Sequence, residues 1–277
     1  MISKLNQFGY NYTSQYGEDG IIKYVLDKIK RCPKVAVEFG AWDGMKYSNV
    51  YSLIRHQGWK GILIEADKKR FEQLCRNTEM LDVMVFNKFI EADGQNSIDE
   101  LFRSEKLDPN VGVLSIDIDS HDYWIFKYME YIKPVVVVIE HNDSIPGYIY
   151  YHDPEDKVIL RSSAKAIEKL GQEKGYKLIC CTIANCILVK NEFWREDFFP
   201  DERVEYLFDY INVRAIIHNG REGPSPNFYP VFVGIPSRAD RILFRAKQRA
   251  ISILRGISYR KYDNEAIEWM EKFNLFV

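Results

Sequence analysis

Two acid-bearing loops and one isolated acid stand where an α/β protein places a ligand. Residues 35–44 read Val-Ala-Val-Glu-Phe-Gly-Ala-Trp-Asp-Gly, a β run that turns through Gly40 and Gly44 and carries Glu38 and Asp43. Twenty-one residues after Gly44, the run Gly-Ile-Leu-Ile ends in Glu65. Strand, glycine turn, helix, strand and terminal acid is the spacing of a nucleoside site, with the last acid accepting from the ribose hydroxyls. A dinucleotide pyrophosphate calls for backbone N–H groups free of nearby carboxylates and usually for a third glycine. This loop is anionic and lacks that glycine. It suits a ligand with a cationic end, such as the sulfonium and ammonium of S-adenosylmethionine. The expected roles are close backbone approach at Gly40, the cationic end at Glu38 and Asp43, and the ribose at Glu65.

A second group of acids follows. Residues 116–124 read Ile-Asp-Ile-Asp-Ser-His-Asp-Tyr-Trp, and residues 140–143 read Glu-His-Asn-Asp. Carboxylates at the end of an apolar strand are costly unless they meet a cation or donors. In an open α/β sheet two such strand ends border one crevice. Asp117, Asp119, Glu140 and Asn142 are candidate oxygen ligands for Mg²⁺ or Mn²⁺. They serve equally well as a metal-free pocket that orients a substrate hydroxyl. His141, Asp117 and His121 are the candidate general bases.

These residues need a scaffold, and the hydropathy pattern supplies one. Candidate strands are 35–39, 61–65, 82–87, 111–117, 135–140, 176–182 and 185–190. Helical patterns occupy 21–29, 49–57, 68–76, 97–104, 122–131 and 162–174. Runs 111–117 and 135–140 are continuously apolar, as expected of strands covered on both faces. The last two strands are close enough to form a hairpin. The expected architecture is a doubly wound, mostly parallel seven-stranded sheet, the Rossmann-like class I methyltransferase fold, followed by a mostly helical extension. In that extension, residues 237–262 form a basic helical pattern and 264–273 a final helix. The basic pattern is either the solvated face of a packing helix or a site for an anionic acceptor.

Composition narrows the setting. A chain of 277 residues buries a full α/β core. A formal net charge of −2 shows none of the basic excess that nucleic-acid binding requires. No apolar run approaches a membrane span, which leaves peripheral membrane contact open. The first residues hold no apolar signal region, and the five cysteines contain no C-x-x-C pair. A cytoplasmic protein with reduced thiols is expected.

With these residues laid out, the chain resembles the FkbM-type S-adenosylmethionine-dependent methyltransferases. The carriers are Ser14-Gln15-x-Gly17-Glu18-Asp19-Gly20, residues 37–44, Gly61 to Ala66, Ser97-Ile98-Asp99-x-Leu101, residues 115–124, and Val138-Ile139-Glu140-x-Asn142. The resemblance spans roughly residues 12–192. It implies S-adenosylmethionine as methyl donor and, often, a sugar or glycan hydroxyl as acceptor. It puts Gln15, Glu38, Gly40, Asp43 and Glu65 at the cofactor, and Asp117, Asp119, Asp122, Glu140 and Asn142 near the acceptor. Residues 1–192 are then the methyltransferase domain and 193–277 a cap or homo-oligomerisation element. The rival readings are an NAD-dependent oxidoreductase and a non-catalytic assembly module on the same fold. The Asn/Asp-Pro-Pro-aromatic tetrad of amine methyltransferases for nucleic acid is missing after the fourth strand.

Overall fold

A computed structural model describes residues 4–209 apart from 30 and 159, together with 215–217 and 231–233. Seven strands form one sheet: β1 (Val35–Phe39), β2 (Lys60–Ile64), β3 (Val83–Phe86), β4 (Val113–Ile116), β5 (Val136–Glu140), β6 (Tyr176–Cys181) and β7 (Asn185–Lys190). Their order is β3-β2-β1-β4-β5-β7-β6. The first five are parallel, and β7 runs antiparallel to both β5 and β6. This is the strand order of the class I methyltransferase fold, as the sequence pattern predicts. A separate two-stranded antiparallel pair, β8 (Ala215–Ile217) with β9 (Val231–Val233), follows in the extension. The basic stretch 237–262 and the helix expected at 264–273 lie outside the described residues.

Strand periodicity sorts side chains onto two cores. Val37, Phe39, Ile62, Ile64, Leu114, Ile116, Val137 and Ile139 face one side. There they meet α4 (Ile98–Ser104), α5 (Asp122–Tyr128), α6 (Ala164–Glu173) and α7 (Val204–Leu207). Ala36, Leu63, Val113, Val136 and Val138 face the other, against α1 (Glu18–Lys28), α2 (Tyr51–Gln57) and α3 (Lys68–Thr78). Local chemistry starts several of these helices: Asp67, Ser97 and Ser163 accept from the N–H groups of Arg70, Glu100 and Ala166. Gly171 lets α6 lie on β7, since a Cβ there would stand 2.3 Å from Leu188 Cδ2.

The chain beyond residue 192 returns to the first core. Val204, Leu207 and Phe208 are buried in it, Glu168 accepts from the Val204 N–H, and Lys165 pairs with Glu205. All five cysteines are free thiols. Cys180, Cys181 and Cys186 are buried in the last two strands. Among the described residues, no helix is long and apolar enough to cross a membrane.

Candidate functional site

A cleft of about 370 Å³ opens at the C-terminal ends of β1, β2, β4 and β5, the edge at which open α/β sheets bind ligands. Its lining includes Gln15, Glu38, Gly40, Trp42, Lys46, Tyr47, Glu65, Arg70, Lys88, Asp117, Asp119 and Glu140. The left-handed backbone region, costly for non-glycine residues, is concentrated here. Six non-glycine residues adopt it among the described residues. Trp42, Tyr47 and Asp119 line the cleft, and Arg161 reaches two of its acids.

Gly40 closes β1 with φ +76°, and a Cβ there would stand 1.7 Å from the Asp117 carbonyl oxygen. Only glycine lets the ends of β1 and β4 come this close. Glu38 is buried beneath the loop. Its Oε2 accepts from Ser48 Oγ at 2.5 Å and its Oε1 from the Asn49 N–H at 2.9 Å, while Asn49 Nδ2 donates to Ser115 Oγ. Burial pushes the Glu38 carboxyl up to about 7, against the hydrogen bonds that favour its charge. Glu65 directs Oε2 at the Trp42 N–H, 2.8 Å away, and Oε1 at the Asp67 N–H, 2.7 Å away. Each oxygen retains a lone pair that could accept from a hydroxyl in the cleft.

Two of the expected cofactor residues are placed elsewhere. Asp43 is not in the lining: its Oδ1 accepts from the N–H groups of Met45 and Lys46 and closes the turn. Gly44, at φ +79°, lies against Leu74 and Thr78 of α3, where a side chain would not fit.

The segment 11–17 passes over the site, and Gln15 reaches the cleft. Asp19 gathers this segment by accepting from the N–H groups of Tyr12, Thr13 and Ser14 at 2.7–2.9 Å. Glu18 accepts from Tyr16 N–H, Thr182 Oγ1 and Asn185 Nδ2, which ties it to the β6–β7 hairpin. The motif's acids are therefore braces, and Gly17 rather than a side-chain cap begins α1.

The acid cluster contains its own cation. Arg161 Nη1 donates to Asp119 Oδ1 at 2.9 Å and to Glu140 Oε1. Sequence reasoning missed Arg161, which belongs to the long excursion between β5 and α6. Asn142 pins that excursion through its N–H to Ser162 O and its Nδ2 to Leu160 O, and Asp153 accepts from the N–H groups of Leu160 and Arg161. Asn142 thus spends its side chain on Leu160 and Ser144 and does not line the cleft. No group of three or more His, Cys, Asp or Glu among the described residues could hold a metal ion. The four-ligand set of Asp117, Asp119, Glu140 and Asn142 is therefore corrected to an arginine-bridged acid pair beside Asp117.

Both candidate histidines lie outside the cleft lining. His141 is buried, with Nε2 3.2 Å from the Thr182 carbonyl and its ring against Phe208. Burial lowers its pKa, and it is absent from the cleft lining. His121 stands at the N-cap of α5, outside the lining, with Nε2 buried and without a partner among the described residues. The α5 end is organised by Asp122 instead, which accepts from Ile118 N–H at 2.9 Å and Ser120 N–H at 3.0 Å. Burial, then Glu140, raises the Asp122 carboxyl to about 7.

Asp117 is left. It lines the cleft, its N–H donates to the Phe39 carbonyl, and its carboxylate makes no hydrogen bond or ion pair with the described residues. Burial raises its pKa above the usual carboxylate range, Asp122 and Asp119 add to the rise, and Arg161 opposes it. Glu140 is raised by burial and by Asp117, with Arg161 again opposing.

No protein-family model matches the chain, and no curated protein matches it. Solved structures match in fold. A SAM-dependent methyltransferase from Aquifex aeolicus aligns at 11% identity over 60% of this chain and 87% of its own, with a TM-score of 0.38. A precorrin-6y methyltransferase from Geobacter metallireducens aligns at 12% over 66% and 93%, with a TM-score of 0.39. A tRNA uracil methyltransferase from Pyrococcus abyssi, in complex with S-adenosyl-L-homocysteine, aligns at 13% over 65% and 39%, with a TM-score of 0.35. At these values the likeness concerns the course of the chain alone. The fold assignment rests on strand order and direction.

Proposed function

We propose that this chain is an S-adenosylmethionine-dependent O-methyltransferase acting on a hydroxyl of a sugar or glycan. The observation that carries the reading is Asp117, an unengaged carboxylate of raised pKa in the same cleft as Glu65 and Gly40. The FkbM resemblance supports the acceptor class. The cofactor fits the residues present: the cleft lies in the ~300–1,000 Å³ range of small-ligand sites, and Glu65 faces it with an acceptor to spare. Bound there, S-adenosylmethionine supplies a methyl group on a positively charged sulfur.

The chain's own residues divide the remaining work. Glu65 accepts from the ribose hydroxyls while holding the loop at Trp42. Asp117 takes the proton from the acceptor hydroxyl as its oxygen takes the methyl group. A sugar hydroxyl is a weak acid, and a base near neutrality is better matched to it than an ordinary carboxylate. Asp122 fixes the backbone on the far side of Asp117 through Ile118 and Ser120. Arg161 holds Asp119 and Glu140 so that Asp117 is the acid left to act. Rigid placement of base and donor supplies the alignment on which in-line transfer depends.

The test is a thermal-shift and calorimetry panel. S-adenosylhomocysteine should raise the melting temperature by mass action, and NAD should not. Stabilisation by NAD alone would replace this reading with the oxidoreductase.

A further inference from the structure

The cleft is divided by charge along the strand order. Its three cations, Lys46, Arg70 and Lys88, follow β1, β2 and β3 in the chain. The acids Asp117, Asp119 and Glu140 stand at or beyond the ends of β4 and β5. Because the sheet runs β3-β2-β1-β4-β5, the cations form one lip and these acids the other.

None of the three cations has an ion pair among the described residues. The acids on their side are engaged elsewhere: Glu38 with Ser48 and Asn49, Glu65 with Trp42 and Asp67, and Asp43 with the turn at Met45 and Lys46. Asp67 caps α3 at the Arg70 N–H. Aromatic rings hold two of them, Arg70 and Lys46, instead. Arg70 Cζ lies 3.8 Å from the Trp42 ring centroid, and Lys46 Nζ lies 5.4 Å from Trp42 and 4.8 Å from Tyr47. Trp42 and Tyr47 take φ of +50° and +65° to present these rings, a conformation that side-chain-bearing residues adopt at a cost.

A neutral adenosine makes no demand for three unpaired cations. We propose that this lip binds a phosphate or pyrophosphate group of the acceptor, so that the methylated sugar is phosphorylated or nucleotide-activated. The inference rests on the proposed methyl transfer and adds the class of acceptor. Arg70 offers a planar fork matched to phosphate oxygens, and Lys46 and Lys88 add point charges. The anion docks on the β1–β3 lip, and the sugar extends across the cleft towards Asp117. A charged lip also raises the encounter rate with an anionic acceptor, an effect that salt weakens.

The experiment titrates inorganic pyrophosphate and then UDP into the full chain saturated with S-adenosylhomocysteine, at low and high salt. Two variants accompany it: a neutralised Lys46→Gln/Arg70→Gln chain and a charge-keeping Lys46→Arg/Arg70→Lys chain. Pyrophosphate should bind, more weakly at high salt. Its affinity should fall by roughly tenfold or more in the neutralised variant and be largely kept in the charge-keeping one. Tighter binding of UDP than of pyrophosphate identifies a nucleotide-activated sugar, and equal binding identifies a simple phosphosugar. Equal pyrophosphate affinity in wild-type and neutralised chains, no binding at all, or displacement of S-adenosylhomocysteine by pyrophosphate each overturns the proposal. S-adenosylhomocysteine titrated alone reads the cofactor assignment separately. Pyrophosphate titrated without it reads the lip even where that assignment fails.

Discussion

The backbone N–H of Trp42 donates to Glu65 Oε2 at 2.8 Å, so the acid that follows β2 fixes the glycine loop that follows β1. The other oxygen accepts from Asp67, the N-cap of α3. One carboxylate therefore ties together three segments on this side of the cleft. Glu65→Ala should weaken S-adenosylhomocysteine binding by about tenfold or more, the loss expected of a well-made ribose contact. It should also lower stability by about 1–3 kcal/mol, because two N–H groups lose their acceptor. Glu65→Gln keeps one acceptor oxygen and should fall between. Calorimetry and chemical denaturation measure the two losses independently. An unchanged affinity in a folded Glu65→Ala chain would remove Glu65 from the ribose.

Asp117→Asn tests the base. It keeps the shape of the side chain and removes its capacity to take a proton. The rate of methyl transfer should drop by about 10²–10⁴-fold, the usual contribution of a positioned base, while S-adenosylhomocysteine still binds. In the wild-type chain kcat should rise with pH through a pKa above the usual carboxylate range, because burial and the neighbouring acids raise Asp117. That rise should be absent from the variant. A variant with full activity and the same pH profile would transfer the role to another group.

The frame of the site was legible because it is written in local spacing. Val136 to Ile139 reads as a fully covered strand, and Gly40 with Glu65 reads as one strand–helix–strand unit. What a strand end does next is set by distant residues. Glu140 faces the cleft, but His141, one residue later, turns to Thr182 and Phe208, and neither contact has a local signature. Arg161 was invisible for the same reason. Its place beside Glu140 depends on the Asn142–Ser162 and Asp153–Arg161 hydrogen bonds that close a 21-residue excursion. Asp43 carries a local signal of its own: an acid beside Gly44 and ahead of two N–H groups is a turn signal, and the turn is where its Oδ1 is used.

Arg161→Ala should expose the electrostatic cost that the arginine offsets. Glu140 is largely buried, and among the described residues its Oε2 has no partner and Arg161 is its only ion pair. Removing the guanidinium should destabilise the chain by about 1–3 kcal/mol near pH 8, less than for a fully buried pair because Arg161 is partly exposed. As pH falls, Glu140 takes up a proton and the need for a cation goes with it. The deficit should therefore shrink toward about pH 5. Denaturation of both chains across that range measures it, and a pH-independent deficit would mean that Arg161 contributes packing alone.

Glu38 makes the chain's stability depend on pH in a direction opposite to that of a salt-bridged carboxylate. Burial raises its pKa from 4.5 to about 7 in the folded state. Between those values the folded chain holds a proton that the unfolded chain has released. The folded state then binds more protons than the unfolded one, so stability falls as pH rises through the window. Below about pH 4.5 the group contributes no penalty, and above about pH 7 the full penalty is present, on the order of 3 kcal/mol. Asp122, raised to about 7 by burial, acts in the same sense. Glu38→Gln should remove the Glu38 share, since the amide is neutral throughout and the Ser48 hydroxyl can reverse to accept from it. Urea denaturation at about pH 5 and about pH 8 should show the wild-type chain losing more stability between the two than the Glu38→Gln chain. Equal losses would mean that Glu38 is ionised in the fold across the whole range, with Ser48 and Asn49 outweighing its desolvation.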